Sequence, residues 1–240
     1  MVRDGLKLRS EEEFSKKIEE DLNRYIDKVK TRLFKGLSKS IREDKEGIAD
    51  AYLKIIKARY SRGDEIEMLK EPMINLIEYL EGGLNYKSYS TYKYNDMLNY
   101  ISLAYLLDID RDNFEKLAKV RDRAKSRDNI LDFIINAKLN DRKVNRRMMK
   151  WGRNQRLAKV INASSKEEAQ EFMKNDYLRY WYTSVQSVYW HNTHKVNLDN
   201  YTGYWSFEAA AITKILDLDD SSYRDNKYYP KDMIKREENE

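Results

Sequence analysis

The chain's only two histidines stand three residues apart, in His191-Asn-Thr-His194. On a helix that spacing would turn both imidazoles to one face, as a metal site requires. A metal needs further ligands in matching geometry, and the His-Glu-x-x-His pattern of zinc proteases is absent. The expectation is therefore two histidines packed among aromatics, with no metal and no cofactor. The run Asp217-Leu-Asp219-Asp220-Ser221-Ser222 opens like a calcium loop. Ser222 stands where that loop needs glycine, and Tyr228 where it needs glutamate. The run reads instead as a helix end and turn, or as an acidic contact surface.

Glu208 carries more weight. It lies in the otherwise apolar stretch YWSFEAAAITKIL, residues 204–216, where an unpaired carboxylate is expensive to bury. It calls for several hydrogen-bond donors or a basic partner, for which His191, His194 and Arg179 are candidates. A structural buried pair is the favoured reading, and acid–base chemistry the lesser one. A nucleophile elbow, a phosphate-binding glycine loop and a nucleotide fingerprint are all missing, and there is no cysteine to serve as nucleophile, cluster ligand or disulfide. No enzymatic activity is expected.

Charge is unevenly spread. Residues 111–160 carry 16 Lys and Arg against 6 Asp and Glu, while the whole chain carries a net charge of +5. With Trp151, this block could neutralise phosphates and stack on bases, so a basic helical nucleic-acid-binding module is the alternative function. Its apolar residues Val144, Met148, Trp151, Leu157 and Val160 recur at helical spacing, which points them at a core.

These residues must be positioned by helices. Only two prolines and eight glycines punctuate 240 residues, too few for a sandwich or barrel, and no run alternates with period two. Phe14, Ile18, Leu22, Tyr25, Ile26, Val29, Leu33, Leu37 and Ile41 step by three or four, predicting one long helix that starts at a Ser10/Glu13 capping box. Gly63 ends a later helix, and Asp64 is read as the N-cap of the next. Pro72 predicts a kink or a delayed start there. Ser164/Glu167 and Ser165/Glu168 both have capping-box spacing. The expected fold is all-α, about nine to ten helices packed as antiparallel neighbours. A dip in apolar content near residues 122–129 divides an N-terminal helical module, 1–125, from a C-terminal one, 126–240. The opening MVRDGLKLRSEEEF has no apolar core of a secretory signal, and no apolar run is long enough to span a membrane.

Residues 201–233 resemble the signature of the PoNi-type immunity proteins, which are cognate to bacterial PoNe-type DNase toxins. The resemblance rests on Gly203-Tyr204-Trp205-Ser206-Phe207-Glu208 with Ala209-Ala210, on Leu218-Asp219-Asp220 and on Tyr229-Pro230-x-Asp232. Trp190-His191 and His194-Lys195 add to it. So do Arg3-Asp4, Glu13-Phe14 and Tyr60-Ser61-Arg62-Gly63-Asp64 with Leu69-Lys70 in the N-terminal half. The resemblance implies a cytoplasmic protein that binds and neutralises a DNase toxin, without direct contact to nucleic acid or membrane. Gly203, Trp205, Phe207, Glu208, Tyr229 and Pro230 are expected to be fold determinants. Toxin contact is expected from an acidic patch of Asp217, Asp219, Asp220 and Asp225, which would occupy phosphate positions in an electropositive groove. The alternative is a basic exosite contact through Arg142, Arg146, Arg147 and Arg153.

Overall fold

The computed structural model describes residues 2–83, 91–123, 128–144 and 152–234. The α-helical segments of the first half are α1 (Glu11–Lys16), α2 (Arg24–Phe34), α3 (Ile41–Arg62), α4 (Lys70–Gly83), α5 (Thr91–Leu106) and α6 (Arg111–Asp122). Those of the second half are α7 (Asn129–Leu139), α8 (Gly152–Ile161), α9 (Lys166–Glu171), α10 (Trp181–Ser184), α11 (Thr193–Val196) and α12 (Phe207–Ile215). No strand occurs among the described residues, and the fold is all-α. A π-helical segment, Lys17–Asn23, joins α1 to α2 as one rod, and a second, Phe172–Tyr177, leads from α9 towards α10. Counted as continuous rods, ten helices lie among the described residues.

The chain forms two compact units that do not follow its order. One comprises residues 1–88, 112–125 and 192–204; the other comprises 89–111, 126–191 and 205–240. These units cross position 125, where the sequence places its linear division. Helix α5 joins the later helices, and residues 192–204 join the early ones.

In the first unit, the capping box forms as read. Glu13 N–H donates to Ser10 Oγ at 3.2 Å, and Ser10 N–H donates to the Glu13 carboxylate at 2.7 Å. The stripe Phe14, Ile18, Leu22, Ile26 and Val29 is buried. It does not continue to Ile41. The rod stops at Phe34, Gly36 turns left-handed at φ 66°, and Ser40 caps α3 by accepting from Glu43 N–H. The charged stretch Arg42–Glu46 lies at the start of α3. Gly47, inside α3, lets Tyr25 of α2 approach: a Cβ there would sit 2.5 Å from the tyrosine hydroxyl. α3 ends at Gly63 (φ 104°) and packs most extensively on α4. Asp64 caps nothing. Its carboxylate holds the Arg62 guanidinium at 2.6 Å. Pro72 falls in the first turn of α4, where its missing N–H has no intrahelical acceptor to lose.

In the second unit, α12 is apolar all round and is buried from Phe207 to Thr213, packed on α5 and α7. Each fully buried side chain such as Phe207 or Ile212 contributes about 1.5–3 kcal/mol. Asp128 caps α7, accepting from the N–H groups of Ile130 and Leu131 at 3.0 Å each. At α9, Ser165 is the N-cap, while Ser164 donates to Glu168 through both its N–H and its hydroxyl.

Candidate interaction site

Glu208 lies in the first turn of α12 and is 3% exposed. One carboxylate oxygen accepts from the Tyr177 hydroxyl and from the Trp181 indole N–H, each at 2.7 Å. The helix N-terminus adds a favourable field for the negative charge. Burial, reinforced by the Glu208 charge, pushes the Tyr177 hydroxyl pKa well up, so the tyrosine remains a donor. The need for partners was legible in the sequence, but the basic ones proposed are not those used. His191 packs against Tyr182 in a tilted ring contact, with centroids 4.4 Å apart. His194 belongs to the other unit, where its Nδ1 lies 2.8 Å from the Tyr204 hydroxyl. The two histidines are therefore not a ligand pair, and no group of three or more His, Cys, Asp or Glu that could hold a metal exists among the described residues.

The other signature residues are also interior. Trp205, Phe207, Tyr229 and Pro230 are buried. Gly203 adopts φ 100°, a conformation that side-chain-bearing residues resist. The N-terminal motif residues form a knot in the first unit. Arg3 donates to the carbonyls of Tyr60 and Asp64, and its own N–H donates to Ser61 O. Ser61 Oγ donates to Thr202 O at 2.9 Å, and the Tyr201 hydroxyl donates to the buried Asp4 carboxylate, which also caps Leu6 and Leu8 N–H.

The residues proposed for partner contact are dispersed in role. Asp217, Asp219 and Asp225 are exposed. Asp217 pairs with Lys166 at 2.7 Å and Asp225 with Lys231 at 2.8 Å, each cation holding its carboxyl below the usual range. Asp220 must be withdrawn from the patch. It is 3% exposed and its carboxylate holds Arg224 at 2.5 Å. Two members of the basic alternative are likewise turned inward. Arg142 pairs with Asp141 and lies 3.8 Å from the buried Asp132. Arg153 is 6% exposed, close enough to Tyr94 and Tyr177 to pull their hydroxyl pKa values down against burial. Arg146, Arg147 and Trp151 lie outside the described residues.

A surface the sequence reading passed over lies at the corner between α2 and α3. Phe34 is 93% exposed, Leu37 67% and Ile41 61%. The corner is closed by backbone bonds from Gly36 N–H to Leu33 O and from Leu37 N–H to Arg32 O, a helix ending that satisfies the last carbonyls. Arg32 braces it by binding both carboxylate oxygens of Asp44 of α3 through its Nε and Nη2. Leu37 and Ile41 fall on the apolar period read as one continuous stripe, and Phe34 lies off it. The signal against that count was Gly36 followed by the capping-box spacing of Ser40 and Glu43.

The geometry defines an all-α protein whose buried acids serve its own fold, and no helix among the described residues is long and apolar enough to cross a membrane. Residues 3–119 match the N-terminal model of the PoNe immunity protein (PoNi), and residues 126–233 match the C-terminal model of the same family. The chain belongs to the PoNe immunity protein family, and that membership implies an immunity function. Its fold resembles the crystal structure of protein PA2201 from Pseudomonas aeruginosa, with a TM-score of 0.65 and 14% identity over 92% of this chain and 86% of that one. Comparison with curated proteins gives no match.

Proposed function

We propose that this chain binds and neutralises a PoNe-type DNase toxin in the cytoplasm, protecting the cell that makes it and that cell's kin. The reading is carried by one observation, the pair of immunity-family matches that together run from residue 3 to residue 233. It acts by binding and not by turnover. The groups the sequence offered for acid–base work are held apart in role: Glu208 accepts from Tyr177 and Trp181, and His191 packs against the Tyr182 ring. The toxin is a nuclease whose DNA groove must be electropositive, and the exposed acids Asp217, Asp219 and Asp225 form the rim that meets it.

The test is co-expression with a cognate PoNe-type toxin, sought first in the reading frame next to this one. Survival of the host, co-purification of the two chains and stoichiometric loss of nuclease activity on adding the purified protein are expected. Equal killing with and without this chain, with no complex recovered, rules the reading out.

A further inference from the structure

We propose that the corner between α2 and α3 is the anchor by which this chain grips its toxin, and that it takes an acidic surface with an apolar floor on that protein, away from the DNA groove. The inference rests on the toxin-binding reading above. Phe34, Leu37 and Ile41 all fall within residues 34–41, and each is more than half exposed. Their side chains do not hold the corner together. Backbone bonds, the Ser40 cap and the Arg32–Asp44 pair do that. Leu37 occupies the position that, in this type of helix ending, usually packs back on the helix, yet it is 67% exposed. Polar residues would serve the fold equally well, so the apolar ones point to an outside contact.

The charges name the partner's chemistry. Lys35, Lys39 and Arg42 are exposed around the apolar group, and none has an ion pair among the described residues. Some other exposed cations on the surface are matched, as Lys166 is with Asp217 and Lys231 with Asp225, and others are not; what sets the corner apart is that its unmatched cations surround exposed apolar side chains. Of the two acids beside them, Asp44 is occupied by Arg32, which leaves Glu43 against three cations. Such an apex is repelled by a cationic DNA groove and attracted by carboxylates. Because the corner is braced before the partner arrives, little ordering remains to oppose binding. A central apolar contact ringed by charge is also how tight interfaces concentrate their affinity.

Two variants of the full chain, F34S/L37S and K35E/K39E/R42E, test this against the purified cognate toxin. Both should keep the wild-type melting temperature, because the altered side chains are exposed. The apolar variant is expected to dissociate at least tenfold faster. The charge variant is expected to associate at least tenfold more slowly and to lose the wild type's dependence on ionic strength. Wild-type affinity and protection in both variants, beside a wild type that binds and protects, would overturn the anchor and leave the toxin reading standing. If the wild type forms no complex, the toxin reading falls and takes the anchor with it. Loss of self-association by size-exclusion chromatography, or of binding to phosphatidylserine vesicles, with toxin affinity intact would also overturn it, in favour of a second copy or a membrane.

Discussion

Glu208 shows what a single residue discloses and what it withholds. That a carboxylate in an apolar helix needs partners follows from its desolvation alone. Which partners depends on which aromatics of residues 172–190 face inward. The two donors are carried by irregular backbone, Tyr177 at the end of the π-helical segment Phe172–Tyr177 and Trp181 after the 3-10 turn Leu178–Tyr180, so no single regular helix joins them. Glu208→Ala leaves the Tyr177 and Trp181 donors buried without an acceptor, and should cost about 3 kcal/mol in urea unfolding. Toxin affinity per folded molecule should not change. Asp44 gives a second expectation. Its carboxyl is held below the ordinary 3.8, chiefly by the hydrogen bonds from Arg32. A depressed acid stabilises the native state fully above its unfolded pKa, and the contribution fades as pH falls through the folded value. Melting temperatures measured downward from pH 5 should therefore fall more steeply for the wild type than for Asp44→Asn.

At the scale of elements, caps were the most legible features. Ser10/Glu13 and Ser165/Glu168 satisfy the first N–H groups of their helices through short local bonds that spacing alone foretells. The break at Gly36 was missed because Leu37 and Ile41 happen to continue the apolar period beyond the helix that carries it. The glycines separate by cause. Gly63→Ala, at φ 104°, should lose about 1–2 kcal/mol from strain. Gly47→Ala sits in a helix interior and displaces only the half-exposed Tyr25 hydroxyl, so its gain in helix propensity prevails. Stabilisation of about 0.5 kcal/mol is expected in the same unfolding assay.

For the whole molecule, the all-α class followed from period and from scarce glycine and proline, and the family followed largely from residues such as Trp205, Phe207 and Tyr229, which prove to be interior. Those residues identify the chain because its fold depends on them. They do not mark the contact face, which is why the acidic and basic candidates could be named from charge but not sorted by exposure. Asp220 and Arg153 are the instances where burial reverses the reading. The exposed acids that remain can be tested gently. Asparagine tolerates the left-handed backbone of Asp217 (φ 50°), so D217N/D225N should fold normally while slowing association with the toxin several-fold at low salt. An unchanged rate would remove this rim from the interface.

The interleaved path of the chain has a consequence for how such proteins can diversify. Asp4 and Ser61, near one end of the sequence, are completed by Tyr201 and Thr202, near the other. A recombination event that exchanged everything after residue 125 with a distant relative would import a foreign 192–204 segment into that knot. New specificities should therefore arise by point changes at exposed positions more readily than by shuffling halves, because each half carries a piece the other cannot fold without.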